Sequence, residues 1–335
     1  MSLLLGIILQ SCSTDVDLYA DYKDITIVYG LLDPQQDTNF IKINKAFLGP
    51  GNAFEIAQIP DSCNYPGKLD CKITEYRAPI SSAFYEKTRE FWLDTITIHD
   101  KEPGLFYAPD QLVYYTTERI NANSRRFKYR YDLQIDRGDT LLTSSTDVVG
   151  GEGFAILNPV LDFSNYSDTK TLRWNACPNA FVYDVKVNFY YTEIIPSGDS
   201  IPHCIEWRLR EKPIQEAGLD MENGSYNLSY STSRFFSNLA DEMGSDTLDQ
   251  RIQRKVFEPS LEVIISAGGE ELNNFIVINE PSNSVLQNIP EYTNISGGYG
   301  VFSSRTHISK KMRLSTATMV QLINNHPNWN FSQGR

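Results

Sequence analysis

Arg126-Phe-Lys-Tyr-Arg-Tyr-Asp-Leu-Gln-Ile135 puts Phe127, Tyr129, Tyr131, Leu133 and Ile135 at every second position, with Arg126, Lys128, Arg130, Asp132 and Gln134 between them. Successive side chains of a strand point to opposite faces, so strict period-two alternation predicts a β-strand with one apolar and one wet face. The same alternation decides how the basic run from Arg125 to Arg130 is read. Cations at alternate positions of a strand make a solvated face, and a nucleic-acid patch is the lesser reading.

Working outward, the same signals recur. Ile25-Thr-Ile-Val-Tyr29 and Phe40-Ile-Lys-Ile-Asn-Lys-Ala-Phe47, joined by the turn-forming Asp33-Pro-Gln-Gln-Asp37, read as a hairpin that opens a sheet. Downstream, Val149-Gly-Gly-Glu-Gly153 loses periodicity and gains glycine, as an inter-domain joint does. Thr171 to Trp174, then Tyr183 to Tyr191, then Ile205 to Leu209 after the turn Pro196-Ser-Gly-Asp199, predict a second β region. Leu261 to Ile265 reads as a further strand. Helical spacing is confined to short stretches: Ser233 to Gly244, Asp246 to Phe257, Glu270 to Ile278 and Ser315 to Ile323. The tail from His326 reads as irregular. The expectation is a mainly β chain of tandem sandwiches with a few short helices in the C-terminal third.

Composition agrees with that class. At 335 residues the chain has room for two domains at about 150 residues each. Hydrophobic residues make up 41% and charged residues 21%, which excludes wholesale disorder and a bundle of membrane spans. The net charge of −12 repels a polyphosphate backbone, so nucleic acid is not an expected partner.

Met1-Ser-Leu-Leu-Leu-Gly-Ile-Ile-Leu-Gln-Ser-Cys12 is too short an apolar run to span a bilayer, which takes about 20 residues. Its end, Leu9-Gln-Ser-Cys12, resembles the bacterial lipobox, although no Lys or Arg precedes the run. The resemblance implies acylation of Cys12, cleavage before it, and a membrane contact through the lipid; the alternative is a free cysteine at a frayed terminus. The residues that follow, among them Asp15, Asp17 and Asp21, form an acidic tether. The expected organisation is therefore a signal segment over 1–11, a tether over 12–23, a β-sandwich domain over 24–150, and a second β domain with helical and strand additions over 151–335.

Lipidation of Cys12 leaves an even set of four cysteines, Cys63, Cys71, Cys177 and Cys204, in an oxidising compartment. They are candidate disulfide partners, Cys63 with Cys71 and Cys177 with Cys204, or buried free thiols. Leu172-Arg-Trp174 through Cys177-Pro-Asn-Ala180 to Val187 resembles the B and C strands of a fibronectin-type-III-like sandwich, in which the Trp fills the core. Lys101 to Tyr107 and Tyr129 to Ile135 are similar to transthyretin-like or immunoglobulin-like sandwiches. With Pro290 to Arg305, the whole resembles Bacteroidota envelope lipoprotein families of unknown function. That resemblance implies an outer-membrane lipoprotein facing the periplasm or the surface, and it carries over no catalytic residue.

Familiar chemistry is scarce in the sequence. His99, His203, His307 and His326 lack zinc-site spacing, and no Cys-x-x-Cys is present. Gly198-Asp-Ser200 resembles the nucleophile block of a lipase and esterase family, but it sits in a hairpin turn and lacks that family's C-terminal histidine motif. Gly297-Gly-Tyr-Gly300 lacks the Lys-Ser or Lys-Thr of a phosphate loop. Asp33 to Asn39 lacks the spacing of a calcium loop. Asp94, Asp139, Asp199 and Asp246 each begin an Asp-Ser/Thr-Ile/Leu triplet that resembles an O-glycosylation acceptor. No cofactor and no catalytic residue is expected. The expected function is a non-enzymatic binding or accessory module for a glycan, a peptide or a partner envelope protein. Two alternatives stand behind it: a surface hydrolase using two carboxylates, and a structural subunit of an adhesive, fimbria-like layer.

Overall fold

The stretch quoted first forms the strand it predicts. A computed structural model of the chain describes residues 23–48, 52–99, 101–108, 110–243, 251–279 and 292–334. In it Tyr131, Leu133 and Ile135 are buried, while Arg130, Asp132 and Gln134 lie half-buried on the opposite face.

The strands in chain order are β1 (Lys23–Leu32), β2 (Asn39–Leu48), β3 (Asp70–Pro79), β4 (Glu86–Trp92), β5 (Asp94–Ile98), β6 (Gln111–Thr116), β7 (Phe127–Asp136) and β8 (Leu141–Asp147). They continue as β9 (Thr169–Asn175), β10 (Val182–Ile194), β11 (Ser200–Arg208), β12 (Ile214–Gln215), β13 (Asp220–Glu222) and β14 (Ser225–Ser231). The last four are β15 (Gln253–Val256), β16 (Leu261–Gly268), β17 (Tyr299–Met312) and β18 (Phe331–Gln333). The helices are short: α1 (Ala53–Ile56), α2 (Pro60–Cys63), α3 (Thr232–Met243), α4 (Glu270–Asn279) and α5 (Thr316–Asn325). The chain is thus mainly β, with sheets packed as sandwiches.

Each sandwich has its own apolar core. In the first, Val28, Leu32, Ile41 and Ile43 from the β1–β2 hairpin face Cys71, Ile73, Tyr131, Leu133, Ile135 and Leu142 of the four-stranded sheet β4-β3-β7-β8. In the second, Leu172, Trp174, Tyr226, Leu228 and Tyr230 of the sheet β13-β14-β9 face Val185, Val187, Phe189, Val263 and Ile265. Phe235, Phe236 and Leu239 of α3, with Met319 and Leu322 of α5, complete that second core. Trp174 is wholly buried, its ring 5.7 Å from Tyr183 and 6.0 Å from Tyr226. Burying such aromatic rings removes far more apolar area from water than an aliphatic side chain does.

The chain passes from the first core to the second between Val148 and Val149. One strand then returns. Tyr299 to Ser304 of β17 pair in parallel with β1, and Arg305 to Met312 pair antiparallel with β16, so a single strand carries both sandwiches in one continuous sheet. Ile295 and Phe302 sit in the first core, which draws this late segment out of the second domain. Gly300 permits the handover: its φ is +108°, and a Cβ there would lie 2.0 Å from the Val28 carbonyl oxygen.

Two local expectations are corrected. Asp246 to Phe257 is not a helix over its described part: Gln253–Val256 is a strand, because it finds partners in both β10 and β18. The tail from His326 is not irregular, since a 3-10 turn over Pro327–Trp329 leads into β18, which pairs in parallel with β15.

Candidate functional site

The joint near Gly150 is filled. Asn123 and Asn179 both donate to the Val148 carbonyl, at 2.6 and 2.8 Å. The Val149 N–H donates to the Ser304 hydroxyl, which in turn donates to the Leu32 carbonyl. A Cβ on Gly151 would lie 2.3 Å from the Asn123 carbonyl oxygen, so backbone already occupies that space. Buried backbone groups must find partners, and here asparagine and serine side chains supply them across the two sandwiches.

An opening lies elsewhere, at one end of the second sandwich. It is a cleft of about 650 Å³ between the end of β11, the loop to β12, the end of β14 and the start of α3. Its apolar floor is Trp207, Leu209 and Tyr230, which also belong to the core. Around it stand Arg208, Arg210, Lys212 and Arg234, with Glu211 as the single carboxylate in the lining. Alternation builds part of this wall. Ile205, Trp207 and Leu209 point into the core, so Arg208 and Arg210 fall on the other side of the strand and its extension. Arg210 is held by donating to the carbonyls of Leu209 and Ser229, at 2.9 and 3.0 Å. Arg208 lies 3.8 Å from both Asp184 and Glu206, and Arg234 projects from the exposed side of α3. Burial pushes the Tyr230 phenol up to about 12, so it stays a neutral hydrogen-bonding group there. In chemical terms the cleft gathers cationic side chains at one concavity, suited to carboxylate or sulfate oxygens, with Arg210 tied to two backbone carbonyls and Arg208 near two carboxylates.

Other charged groups serve the fold. Glu75 is buried in β3, where it accepts from Thr88 at 2.7 Å, Asn121 at 2.8 Å, and Arg89 at 2.9 and 3.1 Å, and from the Tyr131 hydroxyl. Burial alone would raise this carboxyl, and the hydrogen bonds from Thr88, Tyr131 and Arg89 outweigh it and hold the group low. Glu271, in the first turn of α4, accepts from Ser303 and Thr146; there burial wins and the carboxyl is raised. Asp33 takes the Gln35 N–H, its own N–H donates to Asn39, and Arg305 stands 3.7 Å away.

The residues singled out from sequence are not assembled into one site. The four described cysteines are free thiols. Cys204 pairs in register with Tyr190, whereas Cys177 hydrogen-bonds through its N–H to Tyr183, seven residues along the same strand. That separation is about 23 Å at roughly 3.3 Å per residue, far beyond the reach of a disulfide. Cys63 donates to the Ala57 carbonyl, and Cys71 is buried in the first core. Burial pushes the Cys71 and Cys177 thiols up to about 12. Cys12 lies outside the described residues. Ser200 is exposed and sits across the β10–β11 hairpin from Ile194. The histidines stay apart: His99 pairs with Asp110, His203 stacks on Tyr191, His307 lies in β17, and His326 stacks on Trp329. Among the described residues no three His, Cys, Asp or Glu side chains gather as metal ligands. The cleft was missed in the sequence, although Arg208-Leu-Arg-Glu-Lys212 is a local basic run; Arg234 joins it only through α3.

No protein-family model and no curated protein matches the chain. A crystal structure of CBD12 from CALX1.2 aligns with 86% of this chain and 99% of its own, at 7% identity and a TM-score of 0.15. At those values the likeness carries no argument about fold or function.

Proposed function

We propose that the chain is a lipid-tethered, non-enzymatic binding module of the cell envelope whose binding site is the arginine-lined cleft of the second sandwich. The ligand is anionic, bearing carboxylate or sulfate groups. The observation that carries this reading is the gathering of four cations at one 650 Å³ cleft in a chain of net charge −12. Its volume falls within the roughly 300–1,000 Å³ of small-ligand sites. Long-range repulsion from the rest of the acidic surface would reject most anions, so cations focused in one concavity favour a specific one. A carboxylate-pair hydrolase finds less support, because this cleft brings in only Glu211, and such enzymes need two carboxyl groups about 5 to 10 Å apart.

The test is thermal stabilisation and calorimetry against oligogalacturonate, a sulfated oligosaccharide, an acidic peptide and neutral oligosaccharides. An acidic member is expected to bind, its affinity to fall as salt rises, and Arg234→Glu to weaken it at least tenfold while leaving the fold intact. Equal binding of neutral and acidic members, or no effect of Arg234→Glu, overturns the reading. Binding of the peptide alone would assign the site to a protein partner.

A further inference from the structure

We infer that the end of the first sandwich where the chain enters the fold is a bilayer-docking surface, with Phe54, Ile59, Leu105 and Phe106 as its contact residues. Register places these elements together. Lys23 pairs with Leu48, so the start of β1 and the end of β2 lie side by side, and α1 follows within a few residues. Ile98 pairs with Gln111, so the β5–β6 loop emerges at that same end of the sheet. The loop and the helices are then tied to one another. The Tyr107 N–H donates to the Ala57 carbonyl at 2.8 Å, and the Gln58 amide donates to the carbonyls of Gly104 and Leu105 at 3.0 and 2.9 Å.

Four large apolar side chains of this knot face solvent, beside the exposed Glu55, Gln58, Asp61 and Glu102. Phe54 is 66% exposed, Leu105 63%, Phe106 57% and Ile59 50%. Single exposed apolar residues are ordinary, but four on two mutually bonded segments form a patch that needs a partner. The occupant is indicated by the route of the chain. Eleven positions separate Cys12 from Lys23, a tether that reaches at most about 40 Å at roughly 3.6 Å per residue. A lipid on Cys12 would hold this end of the sandwich nearest the membrane, and aromatic and aliphatic side chains there would enter the headgroup region. Over 52–63 and 101–107 the charges are Glu55, Asp61 and Glu102 against Lys101, so the attraction is apolar and not electrostatic. This inference rests on the lipid-tether reading given above.

The experiment is flotation of residues 13–335, which lack both the apolar leader and the lipid-bearing Cys12 but keep every described residue, with phosphatidylcholine vesicles at 0.1 and 0.5 M NaCl. Weak, salt-insensitive binding is expected. Combining Phe54→Ser with Phe106→Ser should lower the bound fraction at least fivefold with an unchanged circular dichroism spectrum. Phe84→Ser should leave binding unchanged, since Phe84 lies in the β3–β4 turn at the opposite end of β3 from Asp70. Absence of binding, equal binding of wild-type and double-variant surfaces, or a patch that instead mediates dimerisation in light scattering overturns the inference. Mass analysis of the wild-type protein from cells reads the tether separately: unmodified Cys12 with intact, patch-dependent flotation would defeat the lipid reading and leave the docking surface standing.

Discussion

Replacing Arg89 by Met is the sharpest probe of the first sandwich. The guanidinium donates twice to buried Glu75, at 2.9 and 3.1 Å, once to Glu118 at 2.9 Å, and also to the Arg119 carbonyl, and it lies 5.3 Å over the Phe91 ring. Met keeps most of the volume and the contact with Phe91, but it leaves Glu75, 2% exposed, charged and short of two donors. Removing one partner of a buried ion pair costs about 3–5 kcal/mol. Arg89 is itself 31% exposed, which places the expected loss near the lower end, about 3 kcal/mol. Glu75→Gln should cost less, about 1–2 kcal/mol, because the unpaired guanidinium can take up water.

The pH dependence has a definite sign. In the wild type the Glu75 carboxyl is held below its unfolded value, so its contribution is present above about pH 4.3 and is lost as pH falls through the lower folded value. In Arg89→Met burial is opposed by fewer donors and by no nearby positive charge, and the expectation is that the folded value rises above the unfolded one. The penalty is then felt at high pH and relieved by protonation on acidification. Urea unfolding at pH 8 and pH 5 should show the gap between wild type and variant narrowing at pH 5. A loss below about 1 kcal/mol, or an identical loss at both pH values, would refute the view that Arg89 neutralises a buried charge.

Gly300→Ala should destabilise far more than Gly138→Ala: both have positive φ, but a Cβ at 300 meets the Val28 backbone, whereas at 138 it meets open space. Urea midpoints for the two variants check this, with more than about 2 kcal/mol expected for the first and about 1 for the second. In a Cys12→Ser chain a thiol reagent at pH 8 should label exposed Cys204, slowly because its thiol is raised by burial, while Cys63, Cys71 and Cys177 react only after unfolding. Glu271 is raised by burial, so the native state holds its proton more tightly and stability falls as pH climbs through the folded value. Glu271→Gln should therefore gain on the wild type between pH 5 and pH 8 in the same assay.

Sequence alone determined what is local. The alternation in 126–135 and in Tyr183 to Tyr191 produced β7 and β10, because a two-residue period leaves only one face to bury. Ser233 to Gly244 and Ser315 to Ile323 anticipated α3 and α5, and Ser315 caps the second by accepting the Thr318 N–H. Trp174 was legible as core through the resemblance of Leu172 to Val187 to a fibronectin-type-III-like sandwich.

Tertiary structure decided everything that depends on partners distant in the chain. β1 meets β17 some 270 residues later, and no periodicity in either strand encodes a parallel neighbour. Gln253 to Val256 carries a pattern compatible with a helix and becomes a strand only because two edges are waiting for it. Arg208, Arg210 and Lys212 each read as ordinary wet-face residues; only when α3 packs across the end of the sheet does Arg234 join them and a solvated face become a cleft. Local patterning fixes which face of an element is buried, but the concavities between elements arise from how those faces are stacked.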